Sequence, residues 1–315
     1  MKNRPTCWVV TEGFAGMENQ CLGLAEALGL AGEVKRVRRP QSALRYLSPR
    51  FWPNPIVAHS AELAPPWPDI LISSGRGSVA AALAIRRSAR GSTFAIHIQT
   101  PYVHPRRFDL VIIPEHDSLR AENVVVTKTA LHRVTKRSLE AAERVFKERM
   151  SHLPRPLIAV LVGGPTKTLE CSPETMRRLA GQLTMAAGGC GGALAVTTSR
   201  RTGEQNAMAL RQGLAGTPQF FWDGKGENPY LGILALADAI VVTSDSVSMV
   251  SEACATGKPV HVFSLGKEPK KLRRFHKLLM DAGITRPFSS VIQHWSYELP
   301  NDTERVAAIV RDRLI

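Results

Sequence analysis

The sequence predicts an α/β fold of two Rossmann-like domains facing a central cleft. Apolar, strand-length runs alternate with helical segments through both halves of the chain. Pro154 and Pro156 interrupt that alternation near its middle. Residues 238–260 then spell, in order, a buried strand, a polar turn, a helix and a second strand. A chain of 315 residues has room for two ordinary domains, and a 44% hydrophobic content can fill two cores.

The first half opens with a strand at Cys7–Thr11, a helix at 17–29 and a second strand at 33–37. Residues 41–68 are rich in Pro and Trp and read as an irregular excursion. A strand at 69–73 leads through Ser74-Gly-Arg-Gly-Ser78 into an Ala-rich helix at 79–88. Strands follow at 94–99, 110–113 and 124–126, then a charged helix at Lys136–Met150. These patterns place a first domain at 1–150 and a second at 151–315. The second domain repeats the scheme: strand Leu157–Val162, helix 173–187, a Gly-rich turn at 188–192, strand 193–197 and helix Glu204–Gly213. A strand closes at 220–223, a short helix spans 228–237, and helices at 270–282 and Asp302–Leu314 end the chain.

The strand at 239–242 is apolar on both faces, as a parallel strand covered by helices should be. Ser244, Asp245 and Ser246 supply N-cap chemistry, Gly257 stops the following helix, and Pro259 blocks its continuation. A polar turn that feeds a helix at the carboxyl end of a parallel strand is where open α/β sheets bind ligands, often phosphorylated ones.

Lys and Arg total 41 against 27 Asp and Glu, a formal charge of +14. The basic clusters at 36–39, 86–90, 133–137, 200–201 and 267–277 favour an anionic surface or substrate. No nucleic-acid-binding motif accompanies them, and 6% aromatics is poor for base stacking, so no nucleic-acid partner is expected. The five cysteines form no C-x-x-C pair, which disfavours a zinc site or disulfide framework and leaves core packing for Cys7 and Cys254. With neither a bilayer-length apolar run nor a signal-peptide core, a cytoplasmic location is expected, extended to the inner face of a membrane by the basic charge.

Eight motifs taken as an ordered set resemble the mitochondrial-fission ELM family, whose bacterial members carry a glycosyltransferase label. They are Thr11-Glu-Gly-Phe-Ala-Gly-Met-Glu-Asn-Gln20, Ser73-Ser-Gly-Arg76, His97-Ile-Gln-Thr-Pro101, Pro114-Glu-His-Asp117, Leu161-Val-Gly-Gly-Pro165, Thr198-Ser-Arg-Arg201, Gly226-Glu-Asn-Pro-Tyr230 and Thr243-Ser-Asp-Ser-Val-Ser-Met249. The resemblance covers nearly the whole chain. It implies a glycosyltransferase-B-like fold, with the second domain gripping a nucleotide-sugar donor and the first gripping the acceptor.

The residues suit that division. Gly163 and Gly164 would let a diphosphate approach their N–H groups, or simply form a tight turn. Arg200 and Arg201 follow a strand and match phosphate oxygens, unless they are a solvated surface pair. Ser244, Asp245, Ser246 and Ser248 exceed what one N-cap needs, and Ser199 and Met249 accompany them in the same motifs. Glu252 is placed to hold sugar hydroxyls or to face solvent; Asn228 and Tyr230, to frame a base or to cap a helix. On the acceptor side stand Gly13, Gly16, Asn19 and Gln20, with Gly75 and Arg76 at a helix start and Gln99 at a strand end. Glu12, His97 and His116 are the candidate catalytic groups, Glu12 as base toward an acceptor hydroxyl, each set against a structural role. No D-x-D run is present. The expectation is transfer without metal or cofactor, the nucleotide sugar being a substrate, with Arg200, Arg201, Lys258 and helix dipoles neutralising the departing diphosphate.

The expected function is transfer of a sugar from a nucleotide-activated donor to a lipid-linked or envelope glycan. A non-catalytic, membrane-associated adaptor of the ELM type is the alternative. An NAD-dependent epimerase or dehydrogenase would need a Tyr-x-x-x-Lys pair, and none of Tyr46, Tyr102, Tyr230 or Tyr297 has Lys four residues later.

Overall fold

A computed structural model describes residues 4–41, 43–59 and 62–314. Two compact units compose the chain. The first runs to Arg133 and takes back the segment from Asn301 onward; the second is Val134–Pro300.

In the first unit, β1 (Cys7–Thr11) leads to α1 (Ala15–Ala27) and β2 (Gly32–Arg36). The excursion at 41–68 holds two 3-10 turns, Ala43–Tyr46 and Pro49–Phe51, and the single turn α2 (Pro55–Ala58), capped by Asn54 Oδ1 at 3.1 Å from Ile56 N. Then come β3 (Ile70–Ser74), α3 (Arg76–Ser88), β4 (Phe94–Ile98), β5 (Leu110–Pro114) and β6 (Val124–Thr127). All six strands are parallel, in the order β2-β1-β3-β4-β5-β6.

The second unit contains α4 (Lys136–Met150), β7 (Leu157–Val162), α5 (Pro173–Cys190), β8 (Ala193–Thr198), α6 (Glu204–Gly213), β9 (Gln219–Phe221) and α7 (Tyr230–Leu236). It continues with β10 (Ala239–Thr243), α8 (Val247–Cys254), β11 (Val260–Phe263), α9 (Lys270–Asp281) and β12 (Thr285–Pro287). Its sheet is also parallel, ordered β12-β11-β10-β7-β8-β9. The chain ends in α10 (Asp302–Leu314).

Helices cover both faces of each sheet, so alternate side chains of one strand enter different cores. Ile158 and Val160 pack on one side of β7, and Leu157, Ala159 and Leu161 on the other. Every residue of β1, β7 and β10 is buried, and each buried Val, Leu or Ile contributes about 1.5–3 kcal/mol.

The units divide the chain differently from 1–150 and 151–315. Helix α4 belongs with the second unit because Phe146 packs against Gly232 of α7, where even a Cβ would lie 2.6 Å from the ring. Helix α10 belongs with the first. Val306, Ala307 and Val310 enter its core, and Asp302 Oδ2 accepts from Thr129 N and Oγ1 at 2.8 and 2.9 Å. Several bounds also shift. Helix α3 starts at Arg76 because Gly75, at φ +84°, makes the turn out of β3. Helix α5 runs through Gly188 and Gly189 and stops at Gly191, φ +65°. The edge strand β12 carries no apolar run and was not anticipated.

Candidate functional site

In each sheet the strand order reverses beside the unit's first strand, between β1 and β3 and between β7 and β10. Connections leave such a pair in opposite directions, which opens a crevice at the strands' carboxyl ends. Some of the residues singled out from the sequence lie on the loops at these two places; His97, Gln99 and His116 lie on or after β4 and β5, and Asn228, Tyr230 and Lys258 lie at α7.

At the second unit's crevice the loops after β7, β8 and β10 close around Asp245, whose side chain is fully buried. Its Oδ2 accepts from Gly164 N at 3.0 Å and from Arg201 Nη2 at 2.7 Å, while Oδ1 accepts from Thr243 Oγ1 at 2.7 Å. Thr243 Oγ1 in turn accepts from Gly163 N at 2.8 Å. Thr202 hooks the loop after β8 to that after β7 by donating to the Val162 carbonyl at 3.2 Å and to the Gly163 carbonyl. Both glycines are therefore needed by the protein itself. A Cβ on Gly163 would lie 2.1 Å from Asp245 Oδ2, and one on Gly164 would lie 2.3 Å from the Arg201 backbone. Their N–H groups, expected to receive a diphosphate, are already paired.

The cluster instead presents Arg201. Its Nη1 donates to the Gly164 and Pro165 carbonyls at 3.0 and 3.3 Å, and its side chain remains 44% exposed. A guanidinium fixed at three points, with an open face, is pre-organised for an oxyanion. Arg200 beside it is exposed and makes no hydrogen bond or ion pair among the described residues. Ser199 Oγ lies 3.2 Å from Thr202 Oγ1 in the same loop. Asp245 is followed at once by Ser246, which caps α8 by accepting from Met249 N at 3.3 Å. The positive end of α8 thus adjoins Arg201 through Asp245. Ser248 and Met249 lie half-buried on the first turn of α8. Ser244 is buried and structural: its carbonyl accepts from His276 Nε2 at 2.8 Å and its hydroxyl from Leu265 N at 3.3 Å.

Glu252, on α8, neither faces solvent nor stands free. It is 7% exposed and receives the Tyr230 hydroxyl at 2.5 Å. Burial pushes its carboxyl up to about 7, against the lowering effect of that hydrogen bond. Burial raises the Tyr230 hydroxyl well above its usual range. Asn228 Oδ1 accepts from Tyr230 N at 3.0 Å, so this residue helps start α7. Lys258, expected to neutralise a diphosphate, donates its Nζ to the Leu234 and Ala235 carbonyls and ends α7; burial lowers it to about 8.

At the first unit's crevice Glu12 follows β1. Arg39 grips it with Nε at 2.5 Å and Nη2 at 2.8 Å, and Gly77 N at the start of α3 donates to Oε2 at 3.1 Å. A Cβ on Gly77 would lie 2.2 Å from Glu12 Cδ. Gly13 turns at φ +81° beside Arg36, whose Nε and Nη2 hold Glu18 at 3.0 and 2.9 Å. Gly16, Asn19 and Gln20 lie within α1, where Gln20 Nε2 donates to Gly16 O at 3.0 Å. Arg76 is spent on the excursion: its Nη2 donates to the Tyr46 and Leu47 carbonyls at 3.1 and 2.9 Å, and its guanidinium lies 5.0 Å from the Tyr102 ring. Gln99 follows β4 at φ +83°, a strained conformation for a side-chain-bearing residue. His97 is fully buried against Phe108, with Nδ1 2.9 Å from Ser73 Oγ, and burial lowers it to about 3. It is a neutral core residue that no substrate reaches. His116 sits half-buried in the turn after β5.

Sequence reasoning missed Thr243 and Thr202 as the bolts of the second crevice, and Arg39 as the partner of Glu12. Thr243 was within view, since it precedes the acidic turn, but a Thr at a strand end is too common to single out. Arg39 stands out only as part of the basic cluster at 36–39, and nothing in the sequence ties it to Glu12, 27 residues earlier. Among the described residues no three His, Cys, Asp or Glu side chains gather as ion ligands, and no helix is long and apolar enough to cross a membrane.

A family model described as Mitochondrial fission ELM1 matches residues 15–314. The "Mitochondrial fission protein ELM1" of Arabidopsis thaliana is 30% identical, aligned over 97% of this chain and 90% of its own. Among solved structures, the UDP-GlcNAc 2-epimerase from Neisseria meningitidis bound to UDP-GlcNAc superposes with a TM-score of 0.60 at 14% identity, covering 98% of this chain and 99% of that one. MurG of Acinetobacter baumannii superposes with a TM-score of 0.51 at 13% identity, covering 98% and 92%. The fold is glycosyltransferase-B-like, two parallel six-stranded α/β units.

Proposed function

This chain belongs to the mitochondrial fission ELM1 family, and on that premise we propose that it is a glycosyltransferase. Its second unit takes the diphosphate of a nucleotide-sugar donor at the β7–β10 crevice. The sugar passes to a hydroxyl of a lipid-linked or envelope glycan. One observation carries this reading: the buried Asp245 fixes Arg201, half-exposed, beside the capped start of α8 and the unpaired Arg200. Two guanidinium groups and a helix N-terminus at a strand-order reversal form an anion site without a metal ion. The Neisseria epimerase, of the same fold, binds UDP-GlcNAc, which supports a nucleotide sugar as the ligand class. The +14 charge supports docking of the glycan's carrier lipid on the cytoplasmic side of a membrane.

The test is a thermal-shift screen of nucleoside diphosphates and nucleotide sugars. One base is expected to raise the melting temperature, by about 2.7 kcal/mol of stabilisation at a hundredfold excess over Kd. Arg200→Ala, which disturbs no contact in the fold, is expected to abolish the shift. A shift that survives that substitution places the diphosphate elsewhere.

Of the three candidate catalytic groups, Glu12 is the one we propose as base toward the acceptor hydroxyl. It borders a cavity, and Arg39 and Gly77 hold it in place. Glu12→Gln is expected to keep the nucleotide-induced shift and to lower turnover by about 10²–10⁴-fold. Unchanged turnover removes Glu12 from the chemistry.

The non-catalytic adaptor is favoured by a different observation: the N–H groups of Gly163 and Gly164 are satisfied within the protein. An adaptor shows no preference among nucleotides in the same screen.

A further inference from the structure

The first unit contains a cavity of about 680 Å³ that Glu12 borders. Its walls come from the end of β2 and the segment after it, from the excursion, and from the first turns of α3. That volume falls within the roughly 300–1,000 Å³ of small-molecule sites. Apart from Glu12, none of the residues expected to grip an acceptor lines it.

Its charge is organised. Arg36 and Arg39 each border the cavity, and each is gripped by two hydrogen bonds to a carboxylate, Glu18 and Glu12 respectively. Those bonds fix both forks and neutralise them. Arg38 lies between them in sequence, is exposed, and its guanidinium has no hydrogen bond or ion pair among the described residues. It is the uncompensated cation of the wall. Trp52 also lines the cavity; it is 8% exposed, and its indole N–H is donated to the Leu47 carbonyl at 3.1 Å. His59 and Glu62 add polar atoms suited to hydroxyl groups. Arg36 is balanced by Glu18 and Arg39 by Glu12, which leaves Arg38 and Glu62 as the charges of the lining without an ion pair among the described residues, counting His59 as neutral.

We infer that this cavity is a binding site for a sugar-sized, hydroxyl-rich molecule that carries an oxyanion. Arg38 takes the oxyanion, by the fork geometry that guanidinium offers to carboxylate or phosphate. The ring of the ligand lies toward Trp52, and its hydroxyls meet His59 and Glu62. One unpaired guanidinium, with the Glu62 carboxylate in the same lining to repel further negative charge, favours a monoanion, so a sugar carboxylate ranks above a sugar phosphate. This site belongs to the first unit alone and stands whether or not the second unit takes a nucleotide.

Calorimetric titration of the full chain at low ionic strength, with glucuronate, glucose 6-phosphate, glucose and inorganic phosphate, tests it. Glucuronate is expected to bind at least tenfold more tightly than glucose or inorganic phosphate, with glucose 6-phosphate between. Arg38→Ala is expected to remove that preference at an unchanged melting temperature, because the side chain supports nothing in the fold. Arg200→Ala is expected to leave glucuronate binding as it was, which separates this site from the proposed donor site. Glucose 6-phosphate binding more tightly than glucuronate, with both lost in Arg38→Ala, keeps the site and assigns it to phosphate esters. Glucuronate binding no better than glucose, or binding that persists in Arg38→Ala, overturns the inference.

Discussion

Asp245→Ala is expected to lower the unfolding free energy by about 3 kcal/mol. The carboxylate is wholly buried and accepts from Gly164 N, Thr243 Oγ1 and Arg201 Nη2. Its removal leaves two buried donors unpaired, at about 1–3 kcal/mol each. The third donor, on the half-exposed Arg201, turns to water and adds little. Asp245→Asn, which keeps one acceptor oxygen, is expected to cost about half as much. Urea denaturation at neutral pH measures both. The same change frees Arg201 from its anchor, so under the proposed function nucleotide affinity is expected to fall even where the chain still folds. An Asp245→Ala variant as stable as the parent would mean that these three bonds do not hold the crevice.

Glu252→Gln is expected to stabilise the protein, increasingly so as the pH rises. Burial lifts the Glu252 carboxyl to about 7, whereas in the unfolded chain it titrates near 4.3. Between those values the folded state holds a proton that the unfolded state has lost. Stability conferred by that proton is complete below the lower value and disappears as the pH passes through the upper one, for a total of about 3 kcal/mol. Glutamine keeps an acceptor for the Tyr230 hydroxyl and has no charge to bury. The variant and the parent are therefore expected to be similarly stable near pH 4.5, with the variant ahead by about 3 kcal/mol at pH 8. Denaturation midpoints that stay parallel between those two pH values would contradict a buried, readily protonated Glu252.

Much of the fold is legible in the sequence because parallel strands covered on both faces read as unbroken apolar runs. Strands β1, β7 and β10 show this, with strand bounds recognisable from Cys7 to Thr11 and from Leu157 to Val162. Their order in the sheet is another matter. A parallel strand looks the same beside any neighbour, so the reversals between β1 and β3 and between β7 and β10 become visible only in three dimensions. Helix α10 returns to the first unit through an apolar face that would have suited either sheet.

The site divides in the same way. The hydroxyl-rich turn from Thr243 to Ser246 announces itself locally, and so does the Arg200–Arg201 pair. What each polar group does depends on a partner far along the chain. In the sequence Asp245 looks like one ligand among several, yet it is the hub, because Gly164 and Arg201, 81 and 44 residues before it, both turn toward it. From the sequence Glu252 stands between sugar and solvent; in the fold it is buried and accepts the hydroxyl of Tyr230, 22 residues earlier, so it does not face solvent. The sequence makes His97 a candidate base, yet it is fully buried, with its ring against Phe108 and Nδ1 2.9 Å from Ser73 Oγ. In the sequence Arg36, Arg38 and Arg39 look like one basic run; only the carboxylate partners of Arg36 and Arg39 reveal that, among the described residues, Arg38 is the one of the three without an ion pair.

The most direct test of a diphosphate site at the β7–β10 crevice is calorimetric titration of the full chain with UDP, GDP, ADP and CDP in the presence of EDTA. One of these is expected to bind at a ratio of one per chain, at least tenfold more tightly than the others and than inorganic phosphate, and to lose at least tenfold in affinity in Arg200→Ala. Equal, weak heats for all four, or binding that is indifferent to that arginine, would contradict the account.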